Sequence, residues 1–168
     1  MTNKNKIIKR WLPAVLCLIF FTAPLFADEP EAVNAVNTAA YEIEALLNNS
    51  EVTYGQAARF ILEASDMAVY ADAEEAFLYL AERNWLPKNA TSGQIARLDV
   101  LSGVFMKAFD IKGGLFYSLT GGSHYAYREL VYLNIIQGKT EPAMKVSGEL
   151  LLFISGRLLS FNQTGVVQ

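Results

Sequence analysis

Residues 126–134 read AYRELVYLN, and this stretch decides the fold because two earlier stretches repeat its pattern. Residues 40–48 read AYEIEALLN and residues 76–84 read AFLYLAERN. Each stretch is an alanine, an aromatic residue, six further residues and an asparagine. Asparagine tolerates the left-handed conformation that commonly ends a helix. The pattern therefore predicts three helices that end near Asn48, Asn84 and Asn134.

A second signature follows each of these helices after a loop. It reads TYGQ at residues 53–56, TSGQ at 91–94 and VSGE at 146–149. The threonine or serine can cap a helix with its side-chain oxygen. Apolar residues then recur at steps of three and four, which places them on one helical face. The sequence thus predicts one compact all-α domain of three helical-hairpin repeats, at about 36–70, 73–109 and 123–161.

Six helices follow from these patterns, and one glycine-rich segment separates the fourth from the fifth. Residues 112–122 read KGGLFYSLTGG and are predicted to form a loop. Two interpretations stay open: a connector that packs Leu115 and Phe116 onto the core, or a mobile binding loop. The tail from 162 to 168 is expected to fray. The predicted helices lie at about 31–48, 54–70, 73–84, 92–109, 123–134 and 147–161.

The N-terminus has the pattern of a secretory signal peptide. Four basic residues precede an apolar run from Trp11 to Ala27, which holds two prolines and is followed by acidic residues. A basic region, an apolar region and a small residue at the cut are typical of such peptides. Residues 1–27 are therefore predicted to be removed, which leaves 28–168 as a single domain. A retained anchor stays open because Leu25 is larger than the usual residue at its position, and Leu16 argues against lipidation of Cys17.

The charge and the cysteine content of the exported chain limit the kinds of partner that we expect it to bind. The cut would remove four of the 14 basic residues and none of the 17 acidic ones, so 10 basic and 17 acidic side chains remain, a net charge of −7. A chain this acidic is not expected to bind nucleic acid or an anionic membrane face. The single cysteine would leave with the signal, so no disulfide is expected in an oxidising compartment. We expect a protein of the periplasm or cell surface that does not span the membrane after cleavage.

The third copy resembles the S-layer homology (SLH) domain. Its first helix ends in IIQG at residues 135–138, Pro142 lies in the loop, and residues 146–150 read VSGEL. The family has a Gly-Ile-Ile-x-Gly-like turn, a loop with proline and an Ile-Thr-Arg-Ala-Glu signature that opens the second helix. The middle copy, residues 84–94, is similar to the same unit. The resemblance covers roughly 36–161 and implies three such units around a pseudo-threefold axis.

The resemblance also implies a binding mode, but this sequence departs from it. In the family, the arginine of the signature helps to bind an anionic cell-wall polysaccharide. Aligned by signature, its place is taken here by Tyr54, Ser92 and Ser147. An arginine fork matches carboxylate and phosphate oxygens, and these side chains bring no charge. We therefore expect the SLH-like architecture without the polysaccharide chemistry.

No catalytic, metal or cofactor signature is found in the sequence. His124 is the only histidine, and it is predicted to be an exposed residue at a helix start. Glu74 and Glu75 are interpreted as acidic residues that favour a helix N-terminus rather than as an acid/base pair. Neither glycine pair has the spacing of a phosphate-binding loop. We expect no cofactor and no enzyme, although an uncharacterised envelope enzyme remains the remote alternative.

Aromatic residues around the glycine-rich segment are the candidate binding site. Amphipathic rings suit both protein interfaces and sugar stacking. Tyr127 shares its repeat position with Tyr41 and Phe77, so these three are predicted to belong to the core. We expect a non-catalytic cell-envelope interaction module that binds an envelope protein, with envelope glycan as the alternative partner. The candidate residues are Phe116, Tyr117, Tyr125, Arg128 and Tyr132.

Overall fold

A computed structural model describes residues 40–164, and its secondary structure in this range is helical. The all-α fold class is confirmed: only two isolated bridges, Thr53 with Ile95 and Arg97 with Lys145, pair extended backbone between residues 40 and 164. The predicted signal peptide and the first part of the predicted helix 31–48 lie outside the described residues. Within residues 40–164 the structure has seven helices rather than the predicted six: α1 (40–47), α2 (Tyr54–Ala64), α3 (Ala73–Glu82), α4 (Leu98–Ala108), α5 (Leu115–Thr120), α6 (Ser123–Tyr132) and α7 (Gly148–Thr164).

Six of the helices follow one another along the chain as three pairs, α1–α2, α3–α4 and α6–α7, which we call the first, second and third hairpins. The closest packing lies between these pairs: α2 packs on α3 and α4 packs on α6, while α2 also contacts α4 and α7. Nine of the 11 residues of α4 are buried, and a helix that is apolar on all sides belongs in a core. The Ser102 hydroxyl donates to the Leu98 carbonyl at 2.7 Å, which satisfies a polar group in this interior.

A ring of three backbone hydrogen bonds joins the hairpins just before α2, α4 and α7. The Val52 amide donates to the Val146 carbonyl at 2.8 Å, Ala96 donates to Val52 at 2.8 Å, and Val146 donates to Ala96 at 3.1 Å. All three side chains are fully buried. Each residue lies two positions before the helix it introduces, so these ring residues are structural counterparts. Whether the hairpins descend from one repeated unit stays a prediction.

In each hairpin, a carbonyl group of the loop accepts a hydrogen bond from the first amide of the second helix of the preceding hairpin. Amides in the first turn of a helix have no partner inside the helix. Tyr54 donates to the Gln94 carbonyl at 2.9 Å, Leu98 to Met144 at 3.0 Å, and Gly148 to Asn49 at 2.9 Å. The order is cyclic, because the third hairpin takes its partner from the first.

These bonds show that the predicted start of the fourth helix was wrong. The amides of Ala96 and Leu98 are held by other hairpins, so α4 begins at Leu98 rather than near residue 92. Residues 91–94 therefore lie in a loop, and the counterparts of the helix cap Thr53 are Arg97 and Ser147. Thr53 does form the predicted cap, since its hydroxyl accepts from the Gln56 amide. The Ser147 hydroxyl likewise accepts from the Leu150 amide at 3.2 Å.

All three helices end near the predicted asparagines, and two of the three asparagines adopt the left-handed conformation. Asn84 and Asn134 have φ of 55° and 58°, and the residue after each donates its amide to a carbonyl five positions back. Each also lies twelve positions before its ring residue, Ala96 or Val146. Asn48 does not adopt positive φ, and only four positions separate it from Val52. The first hairpin therefore lacks most of the loop that the other two possess.

The aromatic residue of each copy was predicted to belong to the core. This prediction holds for Phe77 and Tyr127 but is wrong for Tyr41. Tyr41 is 72% exposed because no element between residues 40 and 164 covers that face of α1. Phe77 and Tyr127 are buried between hairpins, where α3 packs on α2 and α6 packs on α4.

The segment predicted as a loop contains the helix α5. Gly114 caps its start, and Gly121, at a φ of 60°, ends it in the left-handed conformation that glycine adopts without steric cost. The expectation that Leu115 and Phe116 pack onto the core is wrong, since they are 71% and 65% exposed.

Two helix ends also differ from the prediction. α2 ends at Ala64 rather than near 70, just before Asp66 takes a φ of 55°. α7 continues to Thr164, so residues 162–164 of the tail that was expected to fray are helical.

Candidate functional site

The five candidate residues lie together on one surface. They line a shallow groove of about 240 Å³ between α5 and α6, so the structure brings all of them together. Their role in binding stays a prediction. We call this groove the aromatic groove, and its lining residues are Gly114, Leu115, Phe116, Tyr117, Tyr125, Arg128, Glu129 and Tyr132.

Helical spacing explains why α6 contributes three of the five residues. Tyr125, Arg128 and Tyr132 stand at i, i+3 and i+7, so they share one face of the helix. The opposite face carries Ala126, Tyr127 and Leu130, which are buried against the core. Burial of one face therefore fixes the other face toward the groove.

α5 packs along α6 and brings the remaining two rings. The rings of Phe116 and Tyr125 are nearly parallel, at 14°, with centroids 5.7 Å apart. The phenol of Tyr117 is partly buried, and burial raises its pKa, so this side chain is neutral in the physiological range. α5 begins close to α6, since a Cβ built at Gly114 would lie 3.2 Å from Oε2 of the Glu129 side chain.

The charges of the aromatic groove balance. Arg128 and Glu129 are neighbours on α6 and contribute one positive and one negative charge. Arg128 is exposed and forms no ion pair with any residue from 40 to 164. His124 is exposed as predicted, and its ring meets Tyr125 edge-on at 5.7 Å. The groove thus has no excess of positive charge to attract an anionic polymer.

Large apolar side chains beside the groove face solvent. Besides Leu115 and Phe116, Leu119 is 74% exposed and Tyr132 is 81% exposed. No residue of α5 is buried, although three of its six residues are leucine or phenylalanine. Contiguous exposed apolar surface of this kind commonly marks an interaction site.

A second cavity was missed by the sequence reasoning. It has a volume of about 340 Å³ and lies between α1, α2 and the first residue of α3. Arg59 closes one side: its Nη2 is 2.6 Å from Oε1 of Glu42, and its Nε donates to the Tyr70 carbonyl at 2.9 Å. The only sequence signal for it is the short gap between Asn48 and Val52. We call it the α1–α2 cavity; it is lined by Glu42, Ile43, Ala45, Leu46, Asn49, Gln56, Arg59, Phe60, Glu63, Ala64 and Ala73.

The structural register replaces the alignment of Tyr54 with Ser92 and Ser147 that the sequence pattern suggested. The counterparts of Tyr54 are Leu98 and Gly148, in place of the Ser92 and Ser147 aligned above, and all three are buried. Gly148 has no room for a side chain, because a Cβ there would collide with the Leu46 carbonyl oxygen. Arg97 is the basic residue nearest to these three positions in the sequence. Its guanidinium is paired with the Asp99 carboxylate: Nη2 donates to Oδ2 at 2.8 Å and Nε donates to Oδ1 at 3.1 Å. The hydrogen bond and the charge of Asp99 raise the pKa of Arg97.

Comparisons with known proteins give no match. No family model fits the chain, and neither a curated protein nor a solved structure is significantly similar to it. Within residues 40–164, no three or more His, Cys, Asp or Glu side chains are grouped so that they could hold a metal ion. In the same range, none of the helices has the length and apolar character needed to cross a bilayer.

Proposed function

We propose that this chain is an exported, non-catalytic interaction module of the cell envelope, with an SLH-like architecture, that binds a protein partner. The observation that carries the proposal is the aromatic groove with its exposed apolar border. The export step rests on the pattern of residues 1–27, which lie outside the described structure. The SLH-like architecture rests on the sequence resemblance and is in keeping with the cyclic bonds between the hairpins.

The energetics of the exposed side chains favour a partner. Apolar surface removed from water contributes about 25 cal/mol per Å². Leu115, Phe116 and Leu119 leave most of their surface in water, and packing against α6 buries none of them. A partner that covers α5 would therefore gain free energy that the isolated fold leaves unused.

The composition of the groove favours a protein over an anionic polymer. Tyrosine, phenylalanine and arginine are enriched where proteins meet, and tyrosine and arginine often carry much of the binding energy. An anionic glycan would need a guanidinium or ammonium to offset its charge, and Glu129 lies beside the only arginine of the groove. Arg128 would be the first residue to change if a glycan did bind.

Envelope glycan is the second candidate partner. It is favoured by the SLH resemblance and by the nearly parallel rings of Phe116, which is exposed, and Tyr125, which is half-buried. A neutral sugar face could stack on such rings without any arginine.

Binding of the purified exported protein to isolated envelopes of its own cell tests the proposal. We expect saturable binding that is lost when the envelopes are treated with protease and kept when their glycans are oxidised with periodate. Replacing both Phe116 and Tyr132 by alanine should weaken binding by about tenfold or more, since hot-spot side chains contribute roughly 2 kcal/mol.

The control is Tyr41→Ala, which removes an equally exposed aromatic side chain from α1 and should leave binding unchanged. Binding that survives protease but not periodate, or that titrates with purified wall polymer in a salt-sensitive manner, would overturn the protein partner in favour of the glycan. Envelope binding that is equally strong in the double variant would remove the aromatic groove from the proposal.

A further inference from the structure

The α1–α2 cavity is large enough to receive side chains from another molecule. At about 340 Å³ it falls within the range of cavities that hold small ligands, which is roughly 300–1,000 Å³. Ile43, Leu46 and Phe60 give it an apolar lining, and Ile43 is itself 45% exposed. Most of the lining surface is apolar, and polar side chains also border it, so the cavity suits an occupant with an apolar centre and polar surroundings. These polar side chains are Glu42, Asn49, Gln56, Arg59 and Glu63.

Comparison with the second hairpin explains why the cavity is open. Glu63, which lines it, and Lys107 are counterparts, since each lies eleven positions after a ring residue, Val52 or Ala96. Lys107 does not face a cavity: its Nζ lies 5.8 Å from the ring centroid of Trp85. Trp85 belongs to the loop after Asn84, and the first hairpin has no such loop. The first hairpin therefore has a space beside Glu63 where the second places an aromatic ring of its own.

α5 carries large apolar side chains that its own molecule leaves mostly exposed. Leu115, Phe116 and Leu119 project from a six-residue helix that buries none of its residues. They belong to the uncharged segment 113–123, and Lys112 and Arg128 lie beside it as exposed basic residues. We call these three apolar side chains the α5 knob.

We propose that the α5 knob of one copy inserts into the α1–α2 cavity of a second copy of this chain. The inference rests on the proposed function and names the partner as the same protein. The knob supplies the aromatic ring that the first hairpin lacks. Lys112, Arg128 and Glu129 leave one positive charge beside the knob. Glu42, Glu63 and Arg59 leave one negative charge at the cavity, so the two net charges have opposite signs. Among the described residues, Glu63 forms no ion pair within the molecule that would compete.

This contact joins two different surfaces of the molecule, so each copy can offer its knob to one neighbour and its cavity to another. α5 packs on α6, whereas the cavity lies at α1, α2 and the start of α3. Head-to-tail contacts of this kind produce rings or open chains of subunits. One small helix covers less than the roughly 800 Å² per partner of a stable interface, so the association should be weak and depend on concentration.

Sedimentation velocity of the purified exported protein, from micromolar to millimolar concentrations, tests the inference without any envelope. We expect the average mass to rise past that of a dimer. Replacing Leu115 and Phe116 by serine removes the knob, and Ala45→Trp fills the cavity from an exposed position on α1; each variant alone should stay monomeric. A mixture of the two should form one-to-one dimers and nothing larger, because only one knob and one cavity remain.

Leu78→Ser is the matched control, since it removes an exposed apolar side chain from α3 and should leave the assembly unchanged. Glu63→Lys should weaken the assembly, and adding Lys112→Glu should restore it. A wild-type monomer at every concentration overturns the inference, whether the cavity then holds the chain's own N-terminal residues or a small apolar molecule. An assembly that is unchanged in both the knob variant and the cavity variant also overturns the inference. A monomer that still binds a protease-sensitive envelope component through α5 and α6 overturns the inference and leaves the proposed function standing.

Discussion

The first and third hairpins use corresponding positions in opposite ways. In the third hairpin, Tyr127 and Leu130 of α6 are buried against α4, and twelve positions separate Asn134 from its ring residue. In the first, the aligned residues Tyr41 and Glu44 are exposed on α1, and only four positions separate Asn48 from Val52.

This difference shows that loop length decides what a hairpin can bury. The long loop of the second hairpin places the centroid of the Trp85 ring 5.8 Å from Nζ of Lys107 on α4, and the long loop of the third hairpin carries the fully buried Ile135. The short connection of the first hairpin has no counterpart of either residue, and the α1–α2 cavity remains. The same short connection lies close to α7, where only a glycine fits against Leu46.

The largest expected effect comes from the contact between the first and third hairpins. Gly148→Ala places a Cβ on the Leu46 carbonyl oxygen, a backbone atom that cannot move without shifting the first hairpin. We expect a loss of more than about 4 kcal/mol in the free energy of unfolding, or failure to fold. Urea unfolding followed by circular dichroism measures it. Gly93→Ala is the control, because a Cβ there meets nothing within 4 Å; equal losses would show that the hairpins do not approach as described.

The next largest effect compares α6 with α1, the first helices of the third and first hairpins. Leu130→Ala removes a fully buried side chain from α6 and should cost about 2–5 kcal/mol of unfolding free energy. Glu44→Ala changes the aligned but exposed residue of α1 and should be nearly neutral. Denaturant titration of both variants under identical conditions is the measurement. Similar losses in the two would contradict the unequal burial of the first and third hairpins.

A smaller effect concerns the hydroxyl of the buried tyrosine. The Tyr127 hydroxyl lies 2.9 Å from both the carbonyl and the hydroxyl oxygen of Thr140, which ties the long loop to α6. Tyr127→Phe should cost about 0.5–1.5 kcal/mol, the usual net value of a hydrogen bond. Tyr41→Phe should cost nothing, since that ring is exposed. Thermal unfolding resolves the pair, and a loss in Tyr41→Phe instead would mean that α1 is covered by another part of the chain.

The smallest effect tests the helix ends. Asn134 has a φ of 58°, which an alanine adopts only at a cost of about 1 kcal/mol. Asn134→Ala should therefore destabilise the fold slightly, and Asn134→Gly should not. Asn48→Ala should have little effect, because Asn48 lacks positive φ. Chemical unfolding of all three variants is sufficient, and a larger loss in Asn48→Ala than in Asn134→Ala would reverse the comparison.

Much of the candidate site was predictable because its geometry is local. The spacing of Tyr125, Arg128 and Tyr132 places them on one helical face whatever the rest of the chain does. Phe116 and Tyr117 lie between the two glycine pairs in the sequence, and α5 places them against that face of α6. The α1–α2 cavity was not predictable, because it arises from the absence of a loop in one hairpin and becomes visible only beside the filled space near Trp85.

By itself the sequence determined the helical class, the hairpin order, the ends of α3 and α6, and the exposed face of α6. These depend on periodicity and on single residues such as Asn84 and Asn134, whose effects act within about one helical turn. Only the tertiary structure decided where α4 begins, which aromatic residues are buried, and why Gly148 must be glycine. Those features depend on hydrogen bonds and contacts between hairpins, such as that of Leu98 with Met144, and no local pattern records which distant backbone group an amide will meet.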